Sequence, residues 1–546
     1  MPDLRTALNY PADTVKRYID AGYWTDEMPH EWVAAWAQKT PDAPAAMGPA
    51  GVLSYAELHD GARRFASGLL GLGFGKGDVI GFQLPNIPEF LTAYLGAQMI
   101  GVVPCMMHMP YRSGELEPML RHGRAKGVIC FAAMDGYDAA KTMLEIKSSL
   151  TMLKSIIVVG GDAPDGTVPY ELLLASDASG ISDPPSADDP AVLTFTSGTS
   201  SSPKAVAHSH RTLSLSARIC VSDMGIGKED VVLCAPAHTH AFGLCVAIIT
   251  LCAGAACAMM PFFTPPVLAE TIKATKTTVL CCGPAHVLAC NTAGLWASEV
   301  TKTLKLTFIG GAVCPPHVVQ IMDDACPDGK ALQIWGMTEA LMGIVPPLDA
   351  PLELRLISLG TPPVGHEVRI VAGDGAVLGP GEEGELLIRG PFLFAGYYEN
   401  EAANIDAFGE DGWFRTGDLA TIDEDRNICI SGRLKDLINR GGIKINPVDI
   451  EMLIDAHPSV MQSAIIPVAD EVLGERACLV LVPLPGQKAP TLKDIQDYLA
   501  GKQVTKIKWP ERVEVVEAMP ITATRKIIKG ELAKRIASNS EPRSER

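Results

Sequence analysis

The sequence predicts an α/β protein with a large N-terminal region of parallel sheets, a small β subdomain and a small α+β C-terminal domain. The chain has 546 residues, more than a single hydrophobic core usually supports, so two or more domains are expected. Up to about residue 430, short apolar runs alternate with helical stretches, which is the pattern of parallel strands joined by crossover helices. A polar, turn-rich segment then precedes a different succession of strands and helices.

The elements of the N-terminal region follow from this alternation. Apolar runs of strand length predict strands at Val79–Gln83, Gly127–Phe131, Ser155–Val159, Ala191–Phe195, Thr278–Cys282 and Leu306–Gly310. Longer stretches between them predict helices at Tyr55–Gly71, Ile87–Gly101 and Pro265–Thr275. Glu367–Val371 and Gly384–Arg389 alternate more strictly between apolar and polar residues, which predicts antiparallel strands in the β subdomain.

The domain boundary is expected near Gly432, which divides the chain into residues 1–431 and 432–546. The segment 423–435 is rich in polar and turn-forming residues, a composition typical of a connection between domains. The C-terminal part contains a basic stretch, Lys502–Arg535, with nine Lys or Arg against four Asp or Glu. The last eleven residues are polar and are expected to lack regular structure.

The charge balance argues against one class of function. The chain has 46 Lys and Arg and 63 Asp and Glu, a net charge of −17, whereas nucleic-acid-binding proteins normally present a basic face. Met1–Lys16 lacks the apolar core of a secretory signal. The 14 cysteines show no metal-ligand spacing and lie mostly in apolar runs, as expected for reduced, buried thiols. These features predict a cytoplasmic enzyme that does not bind nucleic acid.

One segment, Gly243–Phe263, is 21 residues long and carries no charge, so its length alone would allow it to cross a membrane. Gly254 interrupts the run, a stretch of strand length (Ala255–Met260) follows, and Pro261 ends it. Neither an aromatic belt at both ends nor a flanking basic cluster is present. We therefore expect a buried helix, a turn and a strand, and no transmembrane segment.

The segment most indicative of chemistry is T-F-T-S-G-T-S-S-S-P-K, Thr194–Lys204, which overlaps the end of a predicted strand. Small hydroxyl residues around a glycine, followed by a lysine, allow backbone N–H groups and hydroxyls to converge on a polyphosphate. The segment does not match the Walker pattern. A serine-rich linker is the alternative, although a linker would not normally follow an apolar strand. The candidate phosphate-binding residues are Thr196, Ser197, Gly198, Thr199, Ser200 and Lys204.

Further motifs follow in a fixed order along the chain. They are H-A-F-G-L (His240–Leu244), G-G-A (Gly310–Ala312), W-G-M-T-E (Trp335–Glu339), G-W-F-R-T-G-D-L (Gly412–Leu419), G-R-L-K-D (Gly432–Asp436), N-R-G-G-I-K-I-N-P (Asn439–Pro447) and P-I-T-A-T-R-K-I (Pro520–Ile527). With these motifs the sequence resembles the adenylate-forming superfamily of acyl- and aryl-CoA ligases, aryl-acid adenylating enzymes and firefly luciferase, roughly from Pro29 to Leu532. The superfamily loop reads T-S-G-T-T-G-x-P-K-G, and this chain has Ser201 and Ala205 in place of two of its glycines.

The resemblance implies a nucleotide site. Trp335 would stack on adenine within the segment that includes Gly336 and Met337, and Thr338 would bond the α-phosphate. A capped helix start is the alternative for this segment. Glu339 would help to hold Mg²⁺, which binds few carboxylates together with phosphate oxygens. The other residues implied to bind ATP or AMP are Gly310, Gly311, Ala312, Asp418, Arg433 and Lys526.

The resemblance also implies an acyl pocket and a mobile C-terminal domain. His240, Ala241, Gly310 and Met337 would border the acyl group. Relatives that adenylate hydroxybenzoates typically have Asn where this chain has Ala241, which favours an apolar aliphatic, alicyclic or unsubstituted aryl acid. Lys526 would be the catalytic lysine, preceded here by Arg525 where the superfamily has Gly. The backbone would pivot at Lys435, and the loop containing Gly441 and Gly442 would form the CoA site.

These residues suit one reaction. A carboxylate and a triphosphate are both anions, so cations and hydrogen-bond donors must offset their repulsion. Thr196 in the phosphate loop, Mg²⁺ held at Glu339, and Lys526 would supply them. The implied function is ATP-dependent formation of acyl-AMP with release of pyrophosphate, followed by thioester formation with coenzyme A.

Two alternatives remain open at the level of sequence. One is a stand-alone adenylating enzyme that loads a carrier protein, because Gly22-Tyr23-Trp24 is similar to aryl-acid members of that kind. The other is a non-catalytic relative that binds an acyl group or nucleotide, motivated by Ser201, Ala205 and Arg525. The sequence identifies neither the acid nor the oligomeric state, for which a dimer is one option.

Overall fold

The computed structural model describes residues 4–49, 51–134, 136–178, 180–181, 183–196, 204–409, 412–470, 472–522 and 525–540. These residues form two large sheets with helices packed on them, a smaller antiparallel sheet and a C-terminal α+β unit. The predicted fold class is therefore confirmed.

The first large sheet contains seven described strands, all parallel to their neighbours except for one antiparallel hairpin at the edge. In spatial order they are Lys204–Ser209, Pro190–Thr196, Val103–Met106, Val79–Gln83, Gly127–Phe131, Ser155–Val159 and Val168–Pro169. The helices in this part of the chain are Tyr55–Gly71, Pro88–Met99, Ser113–His122, Ala139–Lys147 and Tyr170–Leu174, and a small ribbon pairs Ala133–Met134 with Tyr137–Asp138.

The second large sheet contains eight described strands, with antiparallel strands at both edges of a parallel centre. In spatial order they are Leu341–Ile344, Lys330–Met337, Leu306–Gly310, Val279–Cys282, Val231–Cys234, Ala256–Ala258, Pro44–Gly48 and Gly51–Ser54. The remaining helices of the N-terminal region before the small sheet are Ala12–Asp20, Pro29–Lys39, His210–Asp223, Ala241–Ala253, Pro265–Thr275, Pro284–Thr292, Ser298–Thr301, Pro316–Ala325 and Leu352–Ile357, and Leu4–Leu8 is a 3₁₀ helix.

Local chemistry explains where the predicted elements begin and end. The Ser54 hydroxyl accepts from the Glu57 N–H at 3.2 Å, and the Glu57 carboxylate accepts from the Ser54 N–H at 2.8 Å. This capping box starts the helix Tyr55–Gly71 at the predicted residue. A single apolar cluster includes Phe82 of the first sheet, Phe308 of the second and Ile248 of a helix, so both sheets share one core.

The uncharged segment folds as predicted. The helix Ala241–Ala253 is buried along almost its whole length and ends at Gly254, whose φ of 73° is left-handed. A Cβ at Gly254 would lie 2.5 Å from the Trp36 ring, so no larger residue fits at this helix end. The strand Ala256–Ala258 follows. Within the described ranges, no helix combines the length and the apolar character needed to cross a membrane.

The small sheet and the C-terminal unit follow each other in the chain. Four antiparallel strands form the small sheet, Glu367–Val371, Gly384–Arg389, Phe414–Ile422 and Ile428–Arg433, accompanied by the helix Glu401–Ala407. The C-terminal unit has the strands Ile438–Arg440, Ile443–Ile445, Val460–Asp470, Gly474–Pro483 and Arg512–Val515 with the helices Pro447–Asp455, Leu492–Gly501 and Lys529–Ser540. The 3₁₀ turns are Leu434–Asp436 and Lys506–Lys508. Sheet membership thus changes within Leu434–Asp436, the turn that contains the predicted pivot, Lys435.

All 14 cysteines lie in the described part of the chain, and every one is a free thiol. Twelve are buried, and only Cys252 and Cys429 are partly exposed. Burial raises the pKa of these thiols, for example that of Cys105 to about 12. They therefore pack as small apolar side chains rather than as nucleophiles.

Candidate active site

Two motif segments meet at the carboxyl ends of neighbouring parallel strands. Gly310 ends one strand and pairs with Ile334 of the next, which carries Trp335 immediately beyond the pairing. A Cβ on Gly310 would lie 2.3 Å from the Ile334 carbonyl oxygen, so the two backbones can approach this closely only with glycine. Gly311 and Ala312 continue from the strand end towards an open pocket. Ligands of open α/β sheets characteristically bind at such strand ends.

A hydrogen-bonded triad links this strand end to the small sheet. The Trp335 indole Nε1 donates to Asp418 Oδ2 at 2.9 Å, and Arg433 Nε donates to Asp418 Oδ1 at 2.7 Å. Asp418 and Arg433 face each other on adjacent antiparallel strands. Asp418 is only 5% exposed, and its charge raises the pKa of the Arg433 guanidinium. The triad is therefore fixed in both position and charge.

A second cluster surrounds Glu339, which is buried. The Tyr397 hydroxyl donates to Glu339 Oε1 at 2.8 Å, and the Lys204 ammonium lies 4.7 Å from the centroid of the Tyr397 ring. Burial raises the pKa of Glu339, while the bond from Tyr397 and the charges of Arg433 and Lys204 oppose that rise. The carboxylate of Glu339 therefore accepts from Tyr397 and lies close to the positive charges of Arg433 and Lys204.

The turn that holds Glu339 is the connection of a hairpin, not the start of a helix. Thr338 and Glu339 lie between the antiparallel strands Lys330–Met337 and Leu341–Ile344. The Thr338 carbonyl is 2.7 Å from His208 Nε2, and burial lowers the pKa of His208 to about 4. The Phe394 N–H donates to the Glu339 carbonyl at 2.8 Å. The alternative reading of this segment as a capped helix start is therefore wrong.

The predicted phosphate loop is the connection of another hairpin. Thr196 and Lys204 are paired residues at the ends of the antiparallel strands Pro190–Thr196 and Lys204–Ser209. Ser197, Gly198, Thr199, Ser200 and Ser201 lie outside the described residues. Ala205 lies in the regular strand, where its carbonyl accepts from the Tyr398 N–H at 2.9 Å. The serine-rich segment therefore connects two paired strands, and Lys204 at its end reaches the Glu339 cluster.

A pocket of about 360 Å³, part of it open to solvent, lies beside these clusters. Its lining combines small and apolar groups with a few polar side chains and consists of Pro236, His240, Phe242, Gly283, Pro284, Ala285, His286, Gly310, Gly311, Ala312, Arg525 and Lys526. His240 precedes a helix and its Nδ1 accepts from the Phe242 N–H at 3.1 Å. Burial, with the nearby His108 and Lys526, lowers the pKa of His240 well below its usual value, so the ring is neutral with its proton on Nε2.

Lys526 brings a cation from the C-terminal unit to this pocket. Its side chain is exposed, yet desolvation by the surrounding groups and the charge of Arg433 lower its pKa to about 8. Asp418 and Glu339 act in the opposite direction, and Lys435 lowers the pKa further. Lys526 is therefore electrostatically coupled to both clusters described above.

Not all of the predicted site residues lie around this pocket. Ala241 and Met337 are not among its lining residues, and Met337 packs instead with the core of the small sheet. Lys435 lies in the turn between sheets, where burial and the charge of Arg433 lower its pKa. Gly441 and Gly442 form the tip of the hairpin between Ile438–Arg440 and Ile443–Ile445. That hairpin tip is also separate from the pocket lining.

Sequence reasoning missed Tyr397, Phe242 and His286 as site residues. Tyr397 belongs to the segment G-Y-Y, Gly396–Tyr398, so its motif was a usable signal, but its bond to Glu339 requires the tertiary fold. Phe242 lies in H-A-F-G-L, two residues after His240. His286 follows a strand end and gives no local signal.

The donor set could hold a divalent cation only with help from a ligand. Within the described ranges there is no group of three or more His, Cys, Asp or Glu side chains that could hold a metal ion. Glu339 supplies one carboxylate beside the phosphate-loop hairpin. This single hard oxygen ligand fits Mg²⁺, which keeps waters and binds phosphate oxygens together with one or two carboxylates.

Comparison with known proteins identifies relatives over nearly the whole chain. The model of the AMP-binding enzyme family matches residues 33–398, and that of the AMP-binding enzyme C-terminal domain matches residues 449–526. Pyochelin synthase PchD of Pseudomonas aeruginosa (strain UCBPP-PA14) is 32% identical over 98% of both chains. The salicyl-AMP ligase / salicyl-S-ArCP synthetase of Mycobacterium tuberculosis is 31% identical over 98% of this chain and 95% of the relative.

Two further relatives are informative about partners and ligands. The salicylyl-CoA synthase / salicylate adenylyltransferase of a Streptomyces species is 30% identical over 96% of both chains. The ATP-bound crystal structure of MatB from Rhodopseudomonas palustris superposes with a TM-score of 0.84 at 27% identity, covering 94% of this chain and all of that one.

Proposed function

Because the chain belongs to the AMP-binding enzyme family and thus to the adenylate-forming superfamily, we propose that it is an acid–CoA ligase of the AMP-forming type. It activates a carboxylic acid with ATP to acyl-AMP, releases pyrophosphate, and transfers the acyl group to the thiol of coenzyme A. The observation that carries the proposal is the convergence of Lys526, the Trp335–Asp418–Arg433 triad and Glu339 around one cleft.

The nucleotide binds along the fixed side of this cleft. Trp335 offers an aromatic face to adenine, while Asp418 and Arg433 bind the ribose hydroxyls. Thr338 and the loop from Thr196 to Lys204 bind the phosphates, since hydroxyls, backbone N–H groups and an ammonium are all donors to phosphate oxygens. The segments Gly310–Ala312 and Gly336–Met337 line the region between adenine and the acyl carboxylate.

Lys526 is the principal catalytic cation in the first half-reaction. Its ammonium donates to the carboxylate and to the α-phosphate as the anhydride forms, which offsets the repulsion between two anions. Catalysis of this kind consists mainly of positioning and electrostatic stabilisation. Mg²⁺ bound at Glu339 would supply further charge neutralisation at the phosphates.

The acid is proposed to be apolar apart from its carboxylate. The pocket has apolar lining residues in Phe242, Pro236 and Pro284. The neutral His240 ring offers a single Nε2–H donor. Among the residues assigned to the acyl site, Ala241 contributes no amide that could bond a ring hydroxyl. An aliphatic, alicyclic or unsubstituted aryl acid fits this lining.

The second half-reaction requires a rearrangement of the C-terminal unit. Rotation at Lys435 withdraws Lys526 and brings in the hairpin tip formed by Gly441 and Gly442, which then borders the channel for the pantetheine arm of CoA. Both glycines have a positive φ, 58° and 88°. Neither has a side chain that would obstruct an incoming thiol. The thiolate attacks the acyl carbon, forms the C–S bond and expels AMP.

A carrier protein is the alternative acceptor. The Mycobacterium tuberculosis relative carries an S-ArCP synthetase activity in its name, whereas the Streptomyces relative is named a CoA synthase. Both names refer to salicylate, so the choice between CoA and a carrier protein depends on the surface that meets the acceptor. A cytoplasmic location is part of the proposal, because 14 free thiols are maintained most easily in a reducing compartment.

One assay tests these proposals together. Pyrophosphate release is measured with a panel of aliphatic, alicyclic and aryl acids, first alone, then with CoA, then with a phosphopantetheinylated carrier protein. The proposal predicts turnover that is sustained by CoA. Stimulation only by the carrier protein would favour the carrier-loading enzyme, and no turnover with any acid would favour a non-catalytic relative.

A further inference from the structure

The residue before Lys526 has an unusual backbone conformation. Arg525 has a φ of 63°, in the left-handed region that glycine tolerates and most other residues avoid. The turn explains this value. The Arg525 N–H donates to the Thr522 carbonyl at 2.9 Å, and the Thr522 N–H donates to the Lys526 carbonyl at 2.8 Å. A tight turn of this kind needs a left-handed residue at its last position, usually glycine.

An arginine at this position has the free-energy cost of a left-handed backbone conformation. A contact of its side chain offsets this cost. The Arg525 guanidinium lies 4.4 Å from the centroid of the Phe263 ring, a cation–π contact. Burial lowers the pKa of Arg525. In the described part of the chain, no carboxylate pairs with this guanidinium, so the Phe263 ring is its principal partner.

The ring that receives Arg525 is itself held in place. Phe263 lies in the segment between the strand Ala256–Ala258 and the helix Pro265–Thr275, well within the N-terminal region. Its ring meets the His286 imidazole edge-on, with the centroids 4.5 Å apart. The His286 Nδ1 accepts from the Gly283 N–H at 3.1 Å. The contact therefore joins the C-terminal unit to a fixed part of the pocket wall.

We propose that Arg525 is a positioning residue, which stacks on Phe263 and thereby holds Lys526 in the cleft during acyl-AMP formation. This inference rests on the proposed function. The contact forms beside Lys526 and would be lost when the C-terminal unit rotates, so it stabilises only the adenylating arrangement. The strained backbone at Arg525 is retained because the stacking offsets its cost.

The test uses four variants and one matched control variant, with wild-type enzyme as the reference. Arg525→Gly removes the cation and relieves the backbone strain, so it should fold at least as well as wild type. Phe263→Leu removes the ring but keeps an apolar side chain. The double variant combines the two, and Arg525→Lys keeps a cation. Phe262→Leu is the matched control, because the neighbouring Phe262 is 49% exposed.

Each variant is assayed in both half-reactions. Arg525→Gly and Phe263→Leu should each lower kcat of acid-dependent ATP–pyrophosphate exchange by roughly five- to tenfold, the effect of losing one partly shielded cation–π pair. KM for the acid should stay within about twofold, and thioester formation from supplied acyl-AMP should be unchanged. The double variant should be no slower than either single one, and Arg525→Lys should recover most of the rate.

Other outcomes overturn the inference. Additive losses in the double variant would mean that the two residues act separately. A change confined to the KM for the acid would make Arg525 a substrate contact. Equal losses in both half-reactions would indicate a general structural role. Absence of exchange in wild-type enzyme with every acid would instead contradict the proposed function.

Hydrogen–deuterium exchange provides a readout that does not depend on turnover. Phe263→Leu leaves the turn sequence intact, yet it should speed amide exchange at Ile521–Ile527 by several-fold, because the turn loses its anchor. The control Phe262→Leu should leave that exchange unchanged. Unaltered exchange in Phe263→Leu would overturn the inference whether or not an acid substrate has been found.

Discussion

The two sides of the candidate cleft are constructed differently. On the N-terminal side, Trp335, Asp418 and Arg433 are joined by hydrogen bonds of 2.7 to 2.9 Å, and Tyr397 bonds Glu339 at 2.8 Å. On the C-terminal side, the Lys526 ammonium makes no hydrogen bond or ion pair to any described residue. Fixed groups are suited to binding a nucleotide throughout a reaction. A cation that no described side chain binds can engage the substrate and then withdraw.

The largest effect is expected for Lys526→Ala. If Lys526 acts only while the anhydride forms, the variant should lose acyl-AMP formation by roughly a thousandfold, a loss typical of removing a transition-state charge partner. Thioester formation from supplied acyl-AMP should remain largely intact. ATP–pyrophosphate exchange and single-turnover thioester formation measure the two steps separately.

The control for this variant is Lys534→Ala, which removes an exposed lysine of the same unit and should leave both steps unchanged. Equal loss of both half-reactions in Lys526→Ala would contradict the assignment, because a cation that leaves the cleft cannot serve the second step.

A substitution on the fixed side of the cleft should impair both half-reactions, and not only the first. Asp418→Ala leaves the Trp335 N–H and the Arg433 guanidinium without their shared acceptor, and it removes the proposed ribose ligand. We expect the affinity for ATP and AMP to fall by roughly ten- to a hundredfold, since a charge-assisted network is lost. Both half-reactions should slow, because the nucleotide is present in each.

Isothermal titration with AMP measures this loss without turnover. Asp425→Ala, at an exposed carboxylate near the same sheet, should bind AMP as wild type does. If Asp418→Ala impaired only acyl-AMP formation, the distinction between a fixed and a withdrawing side would be lost.

The same contrast determines what could be predicted from the sequence. Continuous apolar runs and the capping box at Ser54 specify local structure, so the strand Val79–Gln83 and the helix Tyr55–Gly71 have the predicted bounds. The helix predicted at Ile87–Gly101 is shorter, Pro88–Met99, because Gly101 has a φ of 67° and turns the chain. Helix and strand boundaries that are fixed by nearby residues can thus be predicted from the sequence. Boundaries that depend on the turn that follows are predicted less accurately.

The site itself was predictable only through its motifs. Only the resemblance to the superfamily points to Asp418, Glu339 and Lys526, and nothing in local periodicity indicates that they converge. The bond from Tyr397 to Glu339 and the contact of Arg525 with Phe263 join residues far apart in sequence. Such contacts are created by the packing of one unit on another, which a single sequence does not encode in any local pattern.

A smaller effect is expected in the pH dependence of the first half-reaction. The pKa of Lys526 is lowered to about 8, mainly by its enclosure in the cleft. Only the ammonium form can offset the charge of the two anions, so kcat/KM for acyl-AMP formation should fall as the pH rises through about 8. The loss should approach about tenfold per pH unit well above that value. Initial rates of exchange between pH 6.5 and 9.5 test this.

Thioester formation from supplied acyl-AMP should lack this alkaline decrease, because Lys526 is absent from that step and higher pH produces more thiolate. A parallel decrease in both half-reactions would show that the titrating group stays in the cleft. The Lys526→Arg variant, which stays charged throughout this range, should lose the decrease near pH 8.

The smallest effect concerns the stability of the C-terminal unit and not the chemistry of the cleft. Asp455 is held between Ser463, whose hydroxyl donates to its carboxylate at 2.6 Å, and the nearby Glu451. Burial raises the pKa of Asp455 to about 7. Between about pH 4 and pH 7, the folded state retains a proton that the unfolded state has lost, so stability decreases as the pH rises through that interval.

Asp455→Asn keeps an acceptor for Ser463 and removes the buried charge. We expect a gain in the free energy of unfolding of about 1 kcal/mol at pH 8, after discounting for the partly exposed site, and no gain at pH 4. Urea unfolding at the two pH values measures the difference. Both half-reactions should stay within about twofold of wild type, because Asp455 contacts neither side of the cleft. If the variant instead changed the ratio of the two rates, the stability of the C-terminal unit would itself control which arrangement the enzyme adopts.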